Sequence, residues 1–306
     1  MSGLSIVGRM AADVGILESQ AEKIIQTAPL RYKIYSIRKR DGGLRVVGQP
    51  AREVKALQYW AVDFLRPLLP MHEAASAYNP GCSIGSNAKA HLGSNFILKL
   101  DFRDFFSSIL VRDVCQHIIR NAGHDLSVAD VEAISRLFCW VDNRRPPMRL
   151  CIGAPSSPFI SNSIMFDFDR TVSDWCADRG VKYTRYADDM TFSTRERGVL
   201  KIVQGFVEGV LNGLAYPRLS LNEDKTLHVS RKVRMSVTGI NITPDRNLSV
   251  GRKRKRDVRS MYYRWRMGLL SDDEIAVLKG HIAFIDSIEP GFGERLAFSF
   301  AGKGRA

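Results

Sequence analysis

Three aspartates decide what chemistry this chain could do. Asp188 and Asp189 are adjacent, and the segment around them, Val181 to Thr194, is rich in β-forming residues on both sides. That pattern predicts a hairpin with two carboxylates at its turn. Neighbouring like charges repel, and each favours its neutral form unless a cation compensates. An isolated Asp-Asp pair is most often a solvated turn. Asp101 argues against that bland reading, because it lies near the end of a short apolar run, Phe96 to Phe102, that reads as a buried strand. One aspartate on a strand and two on a neighbouring hairpin could offer hard oxygen ligands to two divalent cations about 4 Å apart, as two-metal phosphoryl transfer requires.

The charge of the whole chain suits such a substrate. Among 306 residues there are 45 Lys and Arg against 32 Asp and Glu, a net charge of +13. Solubility alone is served by a magnitude of roughly 2–8 in a small domain, so the excess points to a polyanionic partner. No run of 18 apolar residues and no leader-like opening is present, which leaves nucleic acid ahead of a membrane surface. The five cysteines are odd in number and form no C-x-x-C pair, so they read as reduced thiols and the expected location is cytoplasmic.

Several elements are expected to carry these residues. A helix is predicted over 10–28, ending before Pro29. Residues 31–48 read as two strands joined at Asp41-Gly42-Gly43, with many cations and few anions. Helices follow over 51–69, 111–122, 128–140, 156–178 and 199–214, with Ser127 as an N-cap and Gly123 and Gly180 as stops. Short strands are expected over 226–250. From Arg252 to Arg266 there are eight Lys and Arg and one acid, Asp257. Val258, Met261, Tyr262 and Trp265 recur there at helical spacing, so a basic amphipathic helix is predicted. Ser271 and Glu274 form a capping box for the next helix.

At the level of motifs the chain resembles the reverse transcriptases. Tyr186-Ala187-Asp188-Asp189 resembles their Y-x-D-D box, and Leu100 to Phe106 their first catalytic-aspartate motif. Gly153-Ala154-Pro155-Ser156-Ser157-Pro158 is similar to their G-x-P-x-S-P stretch, Leu219 to Thr226 to the following lysine-bearing motif, and Arg45 with Pro50 to the fingers motif. All five occur in the family's order. Asn87-Ala88-Lys89-Ala90-His91 and Val237-Thr238-Gly239 further resemble signatures of bacterial retron enzymes. Ile152 stands where many relatives carry Gln, which puts template-base contacts in that loop in doubt but not the metal site.

The resemblance implies an α+β right-hand polymerase fold. Residues 1–30 would form an N-terminal helical extension, 31–245 the fingers and palm, and 246–306 a basic helical thumb. It implies that Asp101, Asp188 and Asp189 hold two Mg2+ ions and that Lys225 acts as general acid for the leaving pyrophosphate. Arg45, with Lys39, would meet the deoxynucleoside triphosphate, and Phe106 would gate against the sugar 2′-hydroxyl. Asn87, Val237, Thr238 and Gly239 are expected to serve RNA recognition, and His91 either RNA recognition or local structure. Arg252, Lys253, Lys255 and Arg256 are expected to grip nucleic-acid backbone. The implied partners are a cognate structured noncoding RNA, its DNA product as multicopy single-stranded DNA, and an effector protein in phage defence. An intron-type reverse transcriptase, or a scaffold that restrains an effector, are the rival readings.

Overall fold

The computed structural model describes residues 5–38, 42–142 and 145–301. Lys39 and Asp41 lie outside the described residues. The N-terminal segment folds as two helices, α1 (Ile6–Val14) and α2 (Glu18–Thr27), rather than the one predicted over 10–28. Gly15 makes the break: at φ +78° it is left-handed, and its N–H closes on the carbonyls of Ala11 and Ala12. Strands β1 (Tyr32–Arg38) and β2 (Leu44–Pro50) pair antiparallel from Tyr32↔Pro50 to Arg38↔Leu44. Helix α3 (Arg52–Leu65) follows directly and stops short of Pro67, while α4 (Ile84–Lys89) is a short turn capped by Ser83.

The central strand is β3 (Phe96–Asp101), followed by the single turn α5 (Phe105–Ser108). Helices α6 (Val111–Ala122) and α7 (Val128–Phe138) come next, and the Ser127 hydroxyl caps α7 as expected. The predicted helix over 128–140 ends at Phe138, since Trp140 enters the small hairpin β4 (Trp140–Asp142) and β5 (Arg145–Arg149). Residues 156–178 form two helices, α8 (Ser156–Ile164) and α9 (Phe166–Ala177), broken at Met165 where φ is −82° and ψ 6°. Hairpin strands β6 (Lys182–Tyr186) and β7 (Asp189–Thr194) precede α10 (Val203–Gly213). Short strands β8 (Leu227–Ser230), β9 (Met235–Val237), β10 (Ile240–Ile242) and β11 (Leu248–Ser249) lead into three helices. These are α11 (Arg252–Arg266), α12 (Asp272–Ile288) and α13 (Phe292–Ala301).

The main sheet runs β6-β7-β3-β8, with all neighbours antiparallel. Alternation along β3 separates its two faces. Leu98 and Leu100 enter the larger hydrophobic core, together with Leu57 of α3, Ile134 of α7, Phe168 of α9 and Phe192 of β7. Ile6, Met10 and Ile25 of the N-terminal helices join that same core. Ile97 faces a second core built from Val237, Ile240, Val258, Tyr262, Leu278 and Ile285. Asp101 shares the strand parity of Ile97, so it stands on the face turned away from the larger core.

The β1–β2 hairpin docks at one point of close backbone approach. Gly48 donates its N–H to the Ile152 carbonyl at 2.8 Å. A Cβ on Gly153, at φ +112°, would fall 2.7 Å from the Gly48 carbonyl oxygen. The glycine of the G-x-P stretch is thus required twice over, by backbone conformation and by space.

Candidate active site

The β3–β7 register sets Asp101 directly opposite Asp189. Ala187, at φ +57°, turns the β6–β7 hairpin and leaves Asp188 beside that pair. The Phe102 N–H donates to the Asp188 carbonyl at 3.1 Å, which ties the turn to the end of β3. The three carboxylates expected from the sequence are therefore brought together. Burial, then the Asp188 charge and the bond to Asp101, push the Asp189 carboxyl up to about 7. Asp188 is also raised, by burial and then by Asp101, against the pull of Lys225 and Arg45.

A cluster of this kind calls for a cation, and in this structure Lys225 supplies one. Its ammonium donates to both Asp101 oxygens at 2.9 and 3.0 Å. Burial lowers the Lys225 pKa, but the Asp101 bond and the other aspartates outweigh it and raise the net value. Among the described residues, no three His, Cys, Asp or Glu side chains already converge as a ligand sphere. The donor chemistry nonetheless fits a divalent cation: three hard carboxylates in one place, two of them held above their ordinary pKa by burial and by neighbouring carboxylates.

Arg45 lies on β2 opposite Ile37, exposed, and close enough to Asp188 and Tyr78 to oppose slightly the rise that burial gives both. Phe106 is half-buried against the larger core, its ring 5.3 Å from that of Phe105. Thr238 and Gly239, at φ +47° and +81°, are the two-residue turn between β9 and β10. With Ile84, Lys99, Tyr186 and Asp189 they line a cleft of about 330 Å³. The Thr238 hydroxyl donates to the Ile84 carbonyl at 3.1 Å, so the Val237–Gly239 turn docks on the first residue of α4, the helix that carries Asn87, beside the carboxylates.

Of the two readings of His91, RNA recognition and local structure, its burial excludes direct RNA contact and leaves the second. It is fully enclosed, with Nδ1 2.7 Å from the Ser193 hydroxyl and Nε2 2.9 Å from that of Thr184. Burial pushes its pKa down to about 4, so it is a neutral brace across β6 and β7. Asn87 and Val237 are likewise buried and present no surface to a ligand. Lys255 is corrected too. Its ammonium is tied to Glu289 at 2.8 Å and to Ser249 at 3.3 Å, which pins α11 to the end of α12. Arg252, Lys253 and Arg256 stand exposed on the first turns of α11.

Three features escaped the sequence. Lys99 points onto the carboxylate face, where it interacts with Asp189, and burial lowers its pKa. Tyr78, at φ +60°, sits 6.4 Å ring to ring from Tyr186. The larger omission is Arg185. It is fully buried, and it donates to Asp169, Asn162 and the Ala187 carbonyl. A strand arginine just before Y-x-D-D was a visible signal; its acidic partner on α9 was not.

The comparisons agree with this geometry. Residues 37–242 match the family described as reverse transcriptase (RNA-dependent DNA polymerase). The chain is 38% identical over 267 residues to the retron Ec83 reverse transcriptase of Escherichia coli, covering 87% of this chain and 85% of the relative. It is 30% identical over 275 residues to the retron Ec86 reverse transcriptase of the same organism, covering 89% and 81%. In fold it is similar to telomerase from Candida tropicalis in complex with a fragment of telomeric RNA, at TM-score 0.51 and 13% identity. That match covers 90% of this chain and 55% of the telomerase chain, so the chain spans about half of that structure's length. A right-hand polymerase fold, a sheet bearing paired carboxylates and this degree of identity lead to one assignment: the chain belongs to the bacterial retron-type reverse transcriptases, RNA-directed DNA polymerases that depend on divalent metal.

Proposed function

We propose that this chain copies part of a cognate structured noncoding RNA into multicopy single-stranded DNA that stays linked to RNA, within a retron that defends against phage beside an effector protein. The observation that carries the catalytic part is the placement of Asp101 opposite Asp189, with Asp188 beside them, on the sheet face turned from the larger core. The retron part is supported by the named relatives and by the docking of the Val237–Gly239 turn on α4, the helix that carries Asn87.

Asp101, Asp188 and Asp189 would hold two Mg2+ ions, which when bound supply activation of the primer hydroxyl and charge neutralisation at the leaving pyrophosphate. Lys225, whose ammonium is bonded to Asp101 here, would supply a proton to that leaving group. Arg45, exposed on the β1–β2 hairpin near Asp188, would offer its guanidinium fork to the triphosphate. Phe106 closes the space that a sugar 2′-hydroxyl would need. Thr238 and Gly239 shape the cleft beside Asp189, while the buried Asn87, His91 and Val237 hold that cleft in form. Arg252, Lys253 and Arg256 meet the duplex backbone.

The test is to purify the chain with its copurifying nucleic acid and sequence both strands. The expected product is single-stranded DNA joined to RNA, present with the natural chain and absent with Asp188→Asn. Copurifying RNA with no attached DNA in both would contradict the copying role.

A further inference from the structure

We infer that Arg185 is a positioning residue for the metal site: from beneath the sheet it clamps the turn that aims Asp188 and Asp189. The inference rests on the two-metal reading of those carboxylates. Alternation along β6 puts Tyr183 and Arg185 on the face opposite Tyr186, that is, toward the helices and away from the carboxylates. There the Arg185 side chain has no exposed surface.

Every arm of the guanidinium is used. Nε donates to Asp169 Oδ1 at 2.8 Å and Nη2 to Asp169 Oδ2 at 2.5 Å, a two-pronged pair with α9. Nη1 donates to Asn162 Oδ1 of α8 at 3.1 Å and to the Ala187 carbonyl at 3.0 Å. Asn162 in turn donates to the Ala77 carbonyl at 2.8 Å, and Tyr183 donates its hydroxyl to Asp169 at 2.8 Å. The Arg185 backbone is held as well, with its N–H on Ala74 and its carbonyl accepting from Ser76.

The bond to Ala187 gives this network a consequence for catalysis. Ala187 is at φ +57°, a conformation that a residue with a Cβ seldom adopts. It directly precedes the two aspartates, so its peptide orientation sets where both carboxylates point. That turn also carries two adjacent carboxylates and sets Asp189 directly opposite Asp101, a crowding of like groups that must be held in place. A fork anchored on two helices supplies that hold. Only a planar guanidinium can hold a carboxylate with two prongs and a backbone carbonyl with a third N–H. A lysine would keep the charge but not the geometry.

The experiment compares the natural chain with Arg185→Lys. Melting temperature and primer–template affinity are measured in chelator, Mn2+ binding by electron paramagnetic resonance, and single-turnover extension across a Mg2+ series. The expected result is primer–template affinity within about twofold, with Mn2+ binding and half-saturating Mg2+ both weakened roughly fivefold or more, on the order of 1 kcal/mol. Unchanged metal dependence in a folded variant would overturn the proposal. If Arg185→Lys does not fold, the combined variant Arg185→Met, Asp169→Leu, Tyr183→Phe decides by the same readouts, since replacing a whole buried pair with apolar groups commonly preserves folding. Asp188→Asn run in parallel separates the two ideas. Its failure to abolish extension would sink the metal assignment itself, whereas an inactive Asp188→Asn beside an unaffected Arg185→Lys would sink only the clamp.

Discussion

Single residues carry the sharpest expectations. Phe106→Ala should open the space facing the sugar 2′-hydroxyl and shift the ratio of ribonucleotide to deoxynucleotide incorporation by roughly tenfold or more, because one misfitting group in a pocket is worth about that much. An unchanged ratio in an active variant would make Phe106 a packing residue only. Asp189 yields a prediction with a sign. Its folded pKa, about 7, lies above its ordinary value, so the folded state binds more protons than the unfolded one in that window. Metal-free protein should therefore lose stability as pH rises from about 4 to about 7 through this group. Asp189→Asn should melt higher than the natural chain at pH 8 in chelator; a lower melting temperature would contradict the reading. The aspartates were legible in the sequence because adjacency and apolar flanks are local facts. For His91 the sequence left RNA recognition and local structure open, because residue type does not disclose burial; the enclosed ring favours the second. His91→Ala should cost about 1–3 kcal/mol of stability, from the Thr184 hydroxyl that loses its ring partner and the Ser193 hydroxyl that keeps only Ser94, with little change in RNA affinity.

At the scale of elements, the basic helix divides into two kinds of cation. Arg252, Lys253 and Arg256 are exposed, whereas Lys255 is spent on Glu289. Changing the first three to Gln should lower the log–log salt slope of primer–template binding by roughly 2–3 units, at about 0.7–0.9 per phosphate contact. Lys255→Gln should instead lower the melting temperature and leave that slope in place. Equal slopes for the triple variant and the natural chain would remove α11 from the backbone-gripping surface. Periodicity found this helix and its docking stripe: Val258 and Tyr262 are buried as expected, while Trp265 stays 39% exposed. What periodicity could not find were the breaks at Gly15 and Met165. The apolar stripe runs on through both, and the interruption is made by backbone conformation and by packing against other elements.

For the whole molecule, the order of five motifs was legible, and so was the class of polymerase. The coupling between elements was not. Asp169 is 16 residues from Arg185 in sequence and on a helix, and only the folded sheet sets them together. The β9–β10 turn and α4 meet across 154 residues, a distance no local pattern spans. The same folding places Asp101 and Asp189 on the sheet face turned from the larger core, with Asp188 in the turn beside them. The account depends above all on those carboxylates acting as one metal-dependent site. The most direct measurement is single-turnover extension of a DNA primer on an RNA template with Mg2+, for the natural chain and for Asp188→Asn, with primer–template binding measured alongside. The account predicts that the natural chain extends the primer. It predicts that the variant binds equally well and extends about 10³-fold more slowly or not at all, since the lost ligand is worth several kcal/mol of transition-state stabilisation. Extension by Asp188→Asn within about tenfold of the natural rate, at equal binding, would contradict it.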